Sequence, residues 1–318
     1  MPQDQKLMTV AAVQAAPVFL DKNQTVEKAC RLFSEAADKG AKLVVFPEVF
    51  ISGYPDWVWV VPNSNRAILD DLYNALLENS VTIPDQSTQQ LCRAAKEAGV
   101  NVVMGIHERN AEASNASLYN TLLYIGSDGR ILGRHRKLIP TGGERLIWAS
   151  GDGSMLNAFH TSVGKLGGLI CWENYMPLAR QAMYDQGVQI HAVPTWDSSE
   201  GWLQSLRHIA REGGMFVIGC CTALRMNDIP DSYEFKKLYP EGKEWINPGN
   251  SCIIDPQGNF MAGPLKAREE ILYAGIDYKQ IAAAKRMFDA AGHYARPDVF
   301  NFSVNRGSDS GRRLKEGK

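Results

Sequence analysis

DKNQTVEKACRLFSEAADKGAKLVVFPE, residues 21–48, changes its hydrophobic period halfway along. Val26, Ala29, Cys30, Phe33, Ala36 and Ala37 recur at helical spacing, and Gly40 stands where a helix stops. From Leu43 the chain becomes a continuous apolar run, the pattern of a strand buried on both faces. An earlier apolar segment, MTVAAVQAAPVFL (residues 8–20), reads as a strand, because Gln14 and Pro17 interrupt it and a helix follows at once; a signal-peptide core is the weaker reading. Strand, helix and strand in that order predict a β-α-β unit.

The same grammar recurs downstream. A helix over 85–99 leads into a strand over 100–108, and residues 117–137 predict a hairpin turning at Ser127-Asp128-Gly129. A second hairpin is expected within 158–171, followed by a helix over 177–187, a strand over 188–194, a helix over 201–214 and a strand over 215–221. Alternating helices and strands with inserted hairpins imply layered α/β architecture, with one mixed sheet or two sheets packed face to face between helices. Residues 49–65 and 225–247 read as long irregular loops. We expect one domain over 1–305 and a flexible C-terminal tail over 306–318.

The chain has 318 residues, 45% of them hydrophobic, enough for a large core without disulfides or metal. A net charge of −1 with 22% charged residues gives no electrostatic footprint for nucleic acid or an anionic membrane. No apolar run reaches the length of about 18 residues that a membrane span needs. The six cysteines, Cys30, Cys92, Cys171, Cys220, Cys221 and Cys252, lack zinc-site spacing. They read as free thiols in a reducing compartment, so a cytoplasmic protein without metal is expected.

Three predicted strands end on three different reactive groups: KLVVFP on Glu48, ILGRHR on Lys137 and KLGGLI on Cys171. Loops beyond the carboxyl ends of strands in α/β folds gather at one rim, where ligands bind. A thiol of ordinary pKa is only a few per cent thiolate at neutral pH and needs a base or positive charge to become a nucleophile. Glu48 can take the proton, and Lys137 can favour the anion. Pro177 suits the first turn of the next helix, whose dipole would add to that field. Taken singly, Glu48 could cap a turn, Lys137 in GRHRK could be a solvated basic edge and Cys171 a buried packing thiol. One site explains all three more economically.

The segments FPEVFISGYP (46–55), HRKLIPTGGERLIWASGDGS (135–154) and GGLICWENYMPLAR (167–180) resemble the three signature segments of the nitrilase branch of the carbon–nitrogen hydrolase family. SLYNTLLYI (117–125) and GHYARPDVF (292–300) agree with it. The resemblance implies a four-layer α-β-β-α sandwich with mixed sheets, a Glu48–Lys137–Cys171 triad and a second glutamate, Glu144, that holds the lysine and positions water. For Glu144 the plain alternative is a surface salt bridge with Arg145. The implied activity is hydrolysis of an organic nitrile to carboxylic acid and ammonia through a cysteine thioimidate and thioester, with no cofactor. The resemblance also implies a homodimer or a higher homo-oligomer such as a spiral, with residues 225–247 and the C-terminal region as contact surfaces.

The cysteine segment is worded like nitrilases rather than amidases. Aromatic residues close to the motifs, among them Tyr54, Trp172 and Trp196, suit an uncharged ligand body, and Gly142 leaves room beside Glu144. Aryl or arylalkyl nitriles are therefore the expected substrates. The alternatives are an aliphatic amidase, a cyanide-converting relative, or an assembly protein that keeps the fold without the chemistry.

Overall fold

Asp21 caps the first helix by accepting a hydrogen bond from the Gln24 backbone N–H at 2.8 Å. Helix α1 (Lys22–Asp38) buries Val26, Ala29, Phe33 and Ala36, and the chain enters strand β2 (Ala41–Val45) directly. With β1 (Met8–Gln14) paired parallel to β2, the β-α-β unit forms as its sequence implies. The structure, a computed structural model, describes residues 7–111 and 114–307. Residues 308–318 of the expected tail lie outside the described residues.

The remaining elements are α2 (Arg66–Glu78), α3 (Gln86–Ala98), β3 (Asn101–Arg109), β4 (Leu118–Ile125), β5 (Ile131–Arg136), β6 (Phe159–Thr161), β7 (Gly164–Gly168), α4 (Pro177–Asp185), β8 (Ile190–Thr195), α5 (Glu200–Gly213), β9 (Phe216–Cys221), β10 (Ala223–Arg225), β11 (Trp245–Ile254), β12 (Phe260–Lys266), β13 (Glu270–Ile276) and α6 (Lys279–Met287). One sheet has the order β13-β1-β2-β3-β4-β5; the other runs β10-β11-β9-β8-β7-β6, with β12 on β11. Each sheet is mixed. β1, β2 and β3 are parallel in the first, β7, β8 and β9 in the second, and hairpins extend both.

Layering follows from which faces are apolar. Val10, Leu43, Val45, Val103 and Leu122 of the first sheet pack against Leu166, Ile190, Ala192, Phe216 and Ile218 of the second. On the outer faces, α1 and α3 cover the first sheet, while α4 and α5 cover the second. The result is the four-layer α-β-β-α sandwich. Among the described residues no helix is long and apolar enough to cross a membrane.

Residues 225–247 contain two 3-10 turns and the start of β11, and several of their apolar side chains face inward. Ile229, Phe235 and Tyr239 are buried, with Phe235 against Phe19 and Trp57. The buried side chains of this segment anchor it to the fold.

Candidate active site

Strand direction brings the three reactive groups together. β5 lies two antiparallel steps from β3, so it runs with β2, and both end at one edge of the first sheet. Glu48 follows β2 and Lys137 follows β5. From the second sheet, Cys171 follows β7 and Thr195 closes β8.

The Glu48 loop is held down by a close backbone approach. Phe46 N–H donates to Val103 O at 2.9 Å and Ile51 N–H to Gly105 O at 3.1 Å. A Cβ at Gly105 would lie 2.2 Å from Pro47 O and 2.4 Å from Val49 N, so only glycine fits there. On the other sheet, Cys171 sits at φ +50°, on a tight strand-to-turn corner that begins a 3-10 turn over Cys171–Tyr175. α4 starts beyond that turn with Pro177 at its first position, so its N-terminus is set back from the sulfur by the intervening turn.

Lys137 Nζ donates to Glu48 Oε1 at 2.8 Å and to Glu144 Oε2 at 2.7 Å. All three side chains are at least 98% buried. Asn120 Nδ2 also donates to Glu48 Oε1, at 2.7 Å, which leaves Oε2 buried and without a hydrogen-bond partner among the described residues. That free oxygen can accept a proton. Glu144 takes further hydrogen bonds from the Tyr54 hydroxyl at 2.7 Å and the Thr141 N–H at 2.6 Å, rather than an ion pair with Arg145, whose Nε donates to Pro140 O.

Charge explains the protonation states. Burial would push the Lys137 ammonium down, but Glu48, the Cys171 sulfur and Glu144 outweigh it and hold its pKa above the usual value. Burial raises the Glu48 carboxyl; Lys137 opposes that and Glu144 adds to it, leaving Glu48 a stronger base than a surface glutamate. Burial and then Glu48 push the Cys171 thiol up to about 12, against the pull of Lys137 and the Thr195 hydroxyl. The resting sulfur is therefore a neutral thiol, where positive charge alone would have made it a thiolate. Its proton must leave as the attack occurs, and Glu48 can receive it.

The aromatic residues play unequal parts. Tyr54 is 2% exposed, stacks flat on Trp196 at 4.3 Å and is held protonated by burial and then by Glu144. It serves Glu144 as a donor. Trp196 Nε1 donates to Asp56 Oδ1 at 3.1 Å, and Asp56 also accepts from the Tyr239 hydroxyl. Trp172 is 47% exposed and donates to Asp197 Oδ2 at 2.9 Å. At Gly142 the Trp59 ring lies 3.2 Å from where a Cβ would sit, so an indole packs against that side of the glycine.

Three residues escaped the sequence reading. Asn120 lies on β4 inside a segment noted only for its wording. Glu173 accepts from the Ile170 N–H and the Leu138 N–H, each at 2.6 Å, and from His135 Nε2, so it ties the cysteine corner to the lysine strand. Burial would raise its carboxyl, but His135 and these donors hold it below the usual carboxylate range. Thr195 Oγ1 donates to Cys171 Sγ at 3.2 Å. The strand-end argument that found Glu48, Lys137 and Cys171 would have found Thr195 had the 188–194 strand been extended by one residue.

The carbon-nitrogen hydrolase family model matches residues 9–286. An aliphatic nitrilase of Sinorhizobium fredii is 42% identical over 93% of this chain and 94% of its own length. A bifunctional nitrilase/nitrile hydratase of Lupinus angustifolius is 41% identical over 96% and 88%. Among solved structures, a Saccharomyces cerevisiae member of the nitrilase superfamily superposes with a TM-score of 0.71 at 21% identity, covering 92% of this chain and 97% of its own. A carbon-nitrogen hydrolase of Helicobacter pylori gives 0.70 at 23%, over 93% and 97%.

Proposed function

The chain belongs to the carbon–nitrogen hydrolase family, in its nitrilase branch, and from that premise we propose that it hydrolyses an aryl or arylalkyl nitrile to carboxylic acid and ammonia on Cys171. Nitrile hydrolysis is supported by relatives about 40% identical over most of the chain. The observation that carries the mechanism is Lys137 bridging Glu48 and Glu144 while the second oxygen of Glu48 stays free.

In this reading Glu48 Oε2 takes the thiol proton as sulfur adds to the nitrile carbon and passes it to the nitrile nitrogen, which gives a thioimidate and returns Glu48 to the carboxylate. A water, deprotonated by Glu48, adds to the same carbon and forms a tetrahedral species. Ammonia leaves with the C–N electron pair, and a second water hydrolyses the thioester to the acid. Lys137 and a backbone N–H near Trp172 stabilise developing negative charge, which is worth about 2.7–4 kcal/mol for one well-aimed donor. Glu144 keeps Lys137 charged and in place.

The half-exposed rings of Trp59 and Trp172 supply apolar surface at the catalytic segments and support an aryl or arylalkyl substrate. A cytoplasmic location and a homo-oligomer belong to the same proposal. The test is a panel of aryl, arylalkyl and short aliphatic nitriles, the matching amides and cyanide, scored for ammonia, acid and amide. Fastest acid release from aryl or arylalkyl nitriles is expected; preference for short aliphatic nitriles, amides or cyanide would refute the substrate class.

A further inference from the structure

Thr195 is placed unlike any other hydroxyl around the site. It is 1% exposed, and its Oγ1 accepts the Asp197 N–H at 3.0 Å, which commits one side of the oxygen and leaves its single proton for Cys171 Sγ at 3.2 Å. Asp197 in turn accepts Trp172 Nε1 at 2.9 Å, so the donor is tied to the residue that follows the nucleophile. The charged and titratable groups coupled to the sulfur are Glu48, Lys137, Glu144 and Tyr54 from the first-sheet side and Cys221 from β9. Within that set Lys137 is the lone cation, and its hydrogen bonds to Glu48 and Glu144 both go to carboxylates.

Resting on the nitrilase reading, we propose that Thr195 is a further catalytic residue, whose hydroxyl stabilises the Cys171 sulfur as an anion both when it attacks and when it leaves. The second role governs the product. The tetrahedral species carries hydroxyl, amino group and sulfur on one carbon. If the C–S bond breaks, its electron pair goes to sulfur, the hydroxyl proton goes to Glu48, and the product is the amide. If instead the hydroxyl proton passes through Glu48 to the nitrogen and the C–N bond breaks, ammonia leaves with that electron pair and the thioester remains, to give acid. A hydrogen bond to sulfur favours the first path, so Thr195 raises the amide share.

The test uses Thr195→Val, which keeps the shape without the donor, Thr195→Ser, which restores it, and Thr195→Ala should the valine variant fold poorly by circular dichroism. Iodoacetamide labelling of Cys171, followed on its own peptide by mass spectrometry from pH 6 to 11, needs no nitrile. Loss of a hydrogen bond to a charged group should slow labelling roughly 10- to 100-fold below the alkaline range and move its rise to higher pH, with most of the rate recovered in Thr195→Ser. With a nitrile, the amide-to-acid ratio should fall in Thr195→Val. Equal labelling of wild type and Thr195→Val overturns the proposal. An unchanged or raised amide share, or a wild type that releases no amide, overturns its product half. A wild type that turns over no nitrile refutes the nitrilase reading instead, and the labelling still decides Thr195.

Discussion

Glu144→Gln removes a charge and keeps a side chain of nearly the same shape. Glu144 and Glu48 each hold Lys137 Nζ, at 2.7 and 2.8 Å, so the two bonded oxygens are no more than about 5.5 Å apart, and at an effective dielectric of about 20 their repulsion is about 3 kcal/mol. Both carboxylates are fully buried, so solvent does little to screen that figure. The repulsion, added to burial, is what offsets Lys137 and keeps the Glu48 carboxyl above the usual glutamate range. Without it, Lys137 pairs with Glu48 alone, and the proton affinity of Glu48 should drop by up to roughly a hundredfold. Because the attack needs Glu48 unprotonated, wild-type kcat/KM falls as pH drops through this raised pKa. In Glu144→Gln that acid limb should shift to lower pH, while the plateau falls about ten- to a hundredfold because the base is weaker and Lys137 is less firmly held. The assay is ammonia release from one nitrile across pH, with folding checked by circular dichroism at each point. An acid limb that stays put, or moves to higher pH, would refute the electrostatic coupling.

Glu173→Gln should destabilise the protein by about 3 kcal/mol at neutral pH in urea unfolding, since a buried carboxylate bonded to two backbone N–H groups and His135 loses its charge. The Glu173 carboxyl is held below its ordinary value, so its contribution is present at neutral pH and lost as pH falls through that depressed pKa. The gap between wild type and variant should therefore narrow in acid, and a gap independent of pH would count against an ionised Glu173 carboxylate. Gly105→Ala should cost about 3 kcal/mol or more, because the added methyl would meet backbone atoms on both sides of Glu48, and should lower kcat with it. An unchanged urea midpoint with full activity would show that the loop does not need that approach.

The layers and most of the crossover units were legible because buried parallel strands and amphipathic helices leave different hydrophobic periods. α2, β10, β11, β12, β13 and α6 were not identified. β12 is largely exposed or half-exposed along FMAGPLK, and α6 buries only Ile281, so neither leaves a strong pattern. Glu48, Lys137 and Cys171 stood out because each ends a predicted strand with a reactive group. Asn120, Glu173 and Thr195 are ordinary residues in sequence and acquire their roles only when two sheets close over them. Gly142 shows the opposite limit: an absent side chain does not reveal that the Trp59 ring packs against that side of the glycine.

The central claim is that Cys171 forms a bond to the carbon of the nitrile. Wild-type protein mixed with a nitrile, quenched in acid within milliseconds to seconds and digested, should carry the acyl or imidoyl mass on the Cys171 peptide, and Cys171→Ala should carry none and release no ammonia. Ammonia release by Cys171→Ala at the wild-type rate, or an adduct found on another cysteine alone, would contradict it.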